Sequence, residues 1–197
     1  PTATVILQGG QILSNTAING GGVAVIGSGN VLTMTSGAIS GNLALGPDGN
    51  GDDGFDGSGG GIYNTGEVWI SGGTLQNNRA QGGLGGDLDI DGGANGGSGS
   101  GGAIRNDPSA LLIIENALIQ GNSAIGGDGH GNRSNNPGGN GGDGWGGAID
   151  NSGTLQISNT QLSNNLAQGG LGGEAANDGG WGGMGIGGAL SLVGSAP

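Results

Sequence analysis

The chain has 197 residues, 56 of them Gly, with only 9 % charged and 3 % aromatic, so it lacks the large side chains that fill an ordinary two-layer core. Its formal net charge is −12 with three basic residues, Arg79, Arg105 and Arg133, which argues against nucleic acid or anionic membrane as partners. The absence of Cys excludes a disulfide framework and a thiolate metal site, and no apolar run is long enough for a membrane-spanning helix.

The chain opens Pro1-Thr2-Ala3-Thr4-Val5 without the basic region of a secretory leader, which reads as a mature, processed or excised start. Val5 and Leu7 are two residues apart, the β period, and Ile12 follows before Asn15-Thr16-Ala17. The same wording returns four times along the chain. Leu32, Met34 and Ile39 precede Asn42-Leu43-Ala44; Val68, Ile70 and Leu75 precede Asn78-Arg79-Ala80. Leu112, Ile114 and Ile119 precede Asn122-Ser123-Ala124, and Leu155, Ile157 and Leu162 precede Asn165-Leu166-Ala167. Between units lies a third element, a Gly pair and a small residue before an aliphatic one. Its copies end at Val23, Ile62, Ile104, Ile149 and Leu190.

One such unit has no core of its own. Stacked about 4.8 Å apart, the units turn each aliphatic position into an interior ladder. The pattern predicts an all-β, right-handed parallel β-helix over residues 1–197. It has about five three-stranded coils, whose motifs end near 17, 44, 80, 124 and 167, and a final partial coil at 187–193. Gly-Gly-Ala-Ile followed by aliphatic-x-x-Asn resembles the repeats of chlamydial polymorphic outer-membrane proteins and related bacterial β-helix surface proteins. This chain uses Ile or Leu where that motif has Phe. The resemblance implies surface display with an adhesive or structural role, and brings no catalytic residues.

Gly-rich insertions at 18–19, 45–58, 81–100, 125–145 and 168–186 all leave the coil at one corner and should form a lateral ridge. Gln-Gly-Gly-Leu-Gly-Gly occurs at both 81–86 and 168–173, and glycine with a period of three suits extended polyglycine-II-like packing. Trp145 and Trp181 stand in matching places near the ends of two insertions, where they would pin the loop to its scaffold.

Asn15, Asn42, Asn78, Asn122 and Asn165 read as a structural ladder at a coil corner, with a second ladder through Asn64, Asn106 and Asn151. Calcium is the one cofactor with a candidate site. Asp87, Asp89 and Asp91 space oxygen donors as in the first half of an EF-hand-type loop, and Asp48, Asn50 and Asp52 form a second group. Neither has a Glu at loop position twelve, where Ser98 and Gly59 stand. His130 is the single His, so a multi-His zinc site is excluded. Glu67, Glu115 and Asp150 occur singly and Arg105 is read as the lone strand-borne base, so the expectation is no catalytic residue and no enzyme. Thr33, Thr35, Thr74, Thr154 and Thr160 form no column such as an ice-contacting face would need.

Val5 and Leu7 at one end and Leu190 and Leu192 at the other are expected to be assembly ends, since neither carries a polar cap. The expected function is an extracellular or bacterial cell-surface solenoid that associates end to end as a filament, sheath or stalk. The alternative is an adhesin passenger fragment or a carbohydrate-binding or carbohydrate-processing β-helix. Surface glycans would then be the partners, contacted through Trp69, Trp145 or Trp181.

Overall fold

A computed structural model describes residues 2–87, 92–131, 137–176 and 178–193. Among them every paired strand is parallel to its neighbour, and no helix is present. The chain is a parallel β-helix, and its five aliphatic positions become five ladders in register. Val5, Leu32, Val68, Leu112 and Leu155 align, as do Leu7, Met34, Ile70, Ile114 and Ile157. Ile12, Ile39, Leu75, Ile119 and Leu162 form the third ladder. The Ala of each Asn-x-Ala stacks from Ala17 to Ala167, and Val23, Ile62, Ile104, Ile149 and Leu190 form the fifth.

In the middle coils these side chains are out of contact with water. Each buried Ile, Leu or Val contributes about 1.5–3 kcal/mol relative to exposure. The coil can be this narrow because its interior corner takes only Gly61, Ala103 or Ala148 before the aliphatic residue.

The coil is more finely divided than three strands. Two-residue strands at Gly57–Ser58, Gly99–Ser100, Gly144–Trp145 and Gly185–Ile186 make a fourth sheet just before each Gly pair. The first sheet bends within each coil: Val31–Ser40 is one strand with a shift at Gly37 (φ 100°), whereas Leu111–Glu115 and Ala117–Gln120 are separate strands parted by Asn116 (φ 53°). At 187–193, Leu190–Leu192 stacks on Ile149–Asn151, with Leu190 packed on Ile149.

The Gly pairs have two separate causes. The first Gly turns the corner with φ near +65°, as at Gly59 and Gly101 (both 66°). The second meets the next coil's backbone, since a Cβ on Gly102 would lie 2.1 Å from the Gly147 carbonyl oxygen.

Candidate functional site

The insertions form an ordered ridge. Each runs out and back, and the extended segments hydrogen-bond in two directions. Between coils, Gly82 donates to Ile125 O (2.9 Å), Gly126 to Gln168 O (2.9 Å), Gly96 to Asn140 O (2.8 Å) and Gly141 to Trp181 O (2.8 Å). Between outgoing and returning segments, Gly97 donates to Gly83 O, Gly127 to Gly97 O, Gly142 to Gly127 O and Gly170 to Gly142 O, each at 2.8–2.9 Å. This is polyglycine-II packing, in which two of every three positions face a neighbouring backbone. Contact is so close that a Cβ on Gly142 would sit 1.9 Å from Gly97 O, and one on Gly127 1.9 Å from Gly83 O.

The third position faces outward, and its backbone N–H is often capped from the preceding coil. Asp53 Oδ1 accepts from Asn95 N (2.7 Å), Asn95 Oδ1 from Asn140 N (2.8 Å), and Asn140 Oδ1 from Trp181 N (2.8 Å). Asp56, Asp128 and Asp143 do the same for Ser98, Leu171 and Met184. Asp48 belongs to this set, its Oδ1 accepting from Leu84 N (2.8 Å). In the same turn, Asn50 and Asp52 are both exposed, with Asp52 O accepting from Gly86 N (2.9 Å). Asp87 Oδ1 lies 4.0 Å from His130 Nδ1, while Asp89, Asp91 and Arg133 lie outside the described residues. Among the described residues no three His, Cys, Asp or Glu side chains converge on one point.

The two tryptophans are not equivalent. Trp145 pairs with Ser100 and Ile186 in the fourth sheet and is half-buried, whereas Trp181 follows Asn140 on the ridge face and is 82 % exposed. Trp181 therefore pins nothing. The insertions differ in length, so counting from their ends aligned residues that the coils do not align.

The Asn ladder is a directed chain of hydrogen bonds. Asn15, Asn42, Asn78 and Asn122 each give their backbone N–H and Nδ2 to the Oδ1 of the next Asn, at 2.9–3.1 Å. Among the described residues Asn15 Oδ1 receives nothing at one end. At the other, Asn165 donates only to Ile119 O, keeping its backbone N–H and one Nδ2 hydrogen. The second ladder runs Asn64 to Asn106 to Asn151 and closes on Gly153 O. In that column the first and fifth coils carry Val25 and Leu192 instead.

Both terminal coils are apolar on their open sides. Val5 is 58 % and Leu192 68 % exposed, while Leu7 and Leu190 are half-buried against the core. The first coil opens into a hollow of about 130 Å³ whose lining includes Val5, Val23, Val25, Ile26 and Leu32.

A cluster that sequence reading missed lies outside the coil, one residue after each ladder aliphatic: Tyr63, Arg105 and Asp150 are in register. Arg105 donates to Asp107 (2.7 Å) and to the buried Asp150, and the Tyr63 hydroxyl donates to Asp107. Burial first, then the Asp107 hydrogen bond and charge, push the Tyr63 pKa from 10.0 to about 12. Burial works against the Arg105 charge, but Asp107 and Asp150 outweigh it and raise its pKa. Asp150 therefore does have partners in a column, and Arg105 is not the lone strand-borne base, since Arg79 begins the strand Arg79–Gln81. The signal was the column of residues just after each aliphatic one.

No protein-family model and no curated protein matches this chain. A solved structure, the nine-helix polyproline type II bundle of an antifreeze protein from the springtail Granisotoma rainieri, is 21 % identical. That similarity covers 76 % of this chain and 95 % of the other, with a TM-score of 0.24.

Proposed function

We propose that this chain is a structural β-solenoid of the cell exterior whose coil is continued head to tail by a second copy. The observation that carries the proposal is the polarity of the Asn ladder, with acceptor Asn15 Oδ1 on the first coil and spare donors of Asn165 on the fifth. Placing a first coil on a fifth sets Leu7 on Ile157, Ile12 on Leu162 and Asn15 on Asn165, because 7, 12, 15 and 157, 162, 165 have the same spacing. It also sets Val25 on Leu192, apolar on apolar, in the column where the inner coils carry Asn64, Asn106 and Asn151. Such a contact is heterologous and does not close, so it makes fibres. The resemblance to bacterial β-helix surface proteins supports placing these fibres outside the cell. Sedimentation velocity and electron microscopy of the chain test this: concentration-dependent fibres are expected, lost in Leu192→Asp. A monomer at every concentration overturns it.

A second reading, glycan binding, is favoured by the outer side of the bent sheet. There Asn116, Leu118, Asn159, Thr160 and Gln161 line an open concavity of about 630 Å³. Beside it, part-exposed Trp69 packs near Ile113 and Glu115, a flat ring among amides and hydroxyls suited to a sugar. Glycan retention that is lost in Trp69→Ala and kept in Leu192→Asp would favour this reading over assembly.

A further inference from the structure

The ridge has a direction as well as the coil. In each layer a ridge glycine at every third position donates to a carbonyl of the next layer: Gly85 to Asp128 O, Gly129 to Leu171 O, Gly93 to Pro137 O and Gly138 to Asp178 O, besides the pairs already given. The equivalent groups of the last layer are the N–H groups of Gly169, Gly172, Gly179 and Gly182, and none meets an acceptor among the described residues. They recur every three residues, which is one turn of a polyproline-II-type helix, or about 9 Å. The last layer is thus an unpaired edge that repeats the edge each inner layer offers to its neighbour.

We infer that this edge binds an extended segment with Gly at two of every three positions, which adds as one further polyglycine-II layer. The occupant follows from the contacts already present in the ridge. In the last layer a Cβ on Gly170 would lie 2.0 Å from Gly127 O of the layer before it, and one on Gly180 1.8 Å from Gly139 O, so a layer added at this distance cannot carry side chains at those positions. A partner with ordinary residues can reach the donors only by standing off from them. The site goes beyond head-to-tail stacking and survives it, because a second copy's first coil brings only Ile18 and Asn19 to this corner and leaves the slot open.

The last layer also supplies its own control. A Cβ on Gly182 has its nearest neighbour at 3.6 Å (Gly170 O), and one on Gly179 at 3.5 Å (Gly173 O), so Ala is accommodated in the free protein at both. An added layer would meet those methyl groups. The probe is a synthetic peptide with the sequence of residues 168–186, titrated into the 15N-labelled full chain. Saturable amide shifts at Gly169, Gly172, Gly179 and Gly182 are expected. Gly182→Ala and Gly179→Ala should leave the melting temperature unchanged and weaken binding by at least about tenfold, a loss of about 1.4 kcal/mol. A peptide with Ala at the positions of Gly170, Gly173, Gly180 and Gly183 should not bind. The inference is overturned if millimolar peptide leaves those four amides unshifted, if the Ala-bearing peptide binds equally, or if the two protein variants bind as the parent does. Fibre formation is read separately by sedimentation, so either reading can fail alone.

Discussion

Coil and ridge exclude water by opposite means. In the coil, ladders of Ile, Leu, Val and Met fill the interior and the backbone pairs around them. In the ridge there is almost nothing but backbone, and segments approach until one main chain lies where a neighbour's Cβ would be. The coil therefore tolerates exchange among aliphatic residues of similar volume, whereas the ridge tolerates no added atom at its inner positions. The two meet at the Gly pairs, where one coil passes so close to the next that a side chain would collide with it.

Opposite substitutions should separate the two regions. Ile114→Ala, in the middle of the buried ladder, removes side-chain volume from a core that cannot collapse, and should cost about 2–5 kcal/mol in a denaturant titration. Ile114→Val should cost only about 0.5–1.5 kcal/mol. Asn78→Ala acts at the corner where coil passes into ridge. It strands the Asn42 backbone and Nδ2 donors and removes the bonds Asn78 gives to Asn122 and Ile39, with an expected loss of about 1–3 kcal/mol for each donor left buried. Asn78→Asp, which keeps the acceptor oxygen, should recover part of that loss. Gly142→Ala adds one methyl and should cost about 1–3 kcal/mol or open the ridge locally. Protease sensitivity should then appear near residue 142 while the coil melts as before. If Gly142→Ala proves silent, the ridge is not packed as described.

The smallest effect lies outside both regions. With its pKa raised to about 12, the Tyr63 phenol is held neutral in the folded chain. The stability it lends is whole below pH 10.0 and is lost as pH rises through about 12. Tyr63 is the single tyrosine, so absorbance reports its ionisation directly. Arg105→Ala removes one of the charges that act on this group and should alter the titration, and a midpoint near 10 in the parent chain would mean that the cluster is not formed.

The aliphatic ladders and both Asn ladders were legible because their spacing within a unit never changes, whatever the length between units. The ridge was legible as order through its Gly-Gly-x wording. The short strands beginning at Gly57, Gly99, Gly144 and Gly185 left no pattern, since two residues carry no periodicity and glycine no side chain. Asp48 was legible in sequence only as an oxygen donor near glycines, whereas the structure gives its Oδ1 a backbone N–H 36 residues away. That role shows only once insertions of unequal length are aligned by coil, which sets Asp53, Asn95 and Asn140 in one row. Tyr63, Arg105 and Asp150 were visible in principle, one step after the ladder aliphatics, but they are chemically unlike and so read as single residues.

Amide hydrogen exchange of the whole chain tests most directly whether the ridge is a packed layer structure. The N–H groups of Gly97, Gly127, Gly142 and Gly170 should be protected like those of the coil, while those of Gly169, Gly172 and Gly182 exchange freely. Uniformly fast exchange across all the ridge glycines, beside a protected coil, would contradict this account.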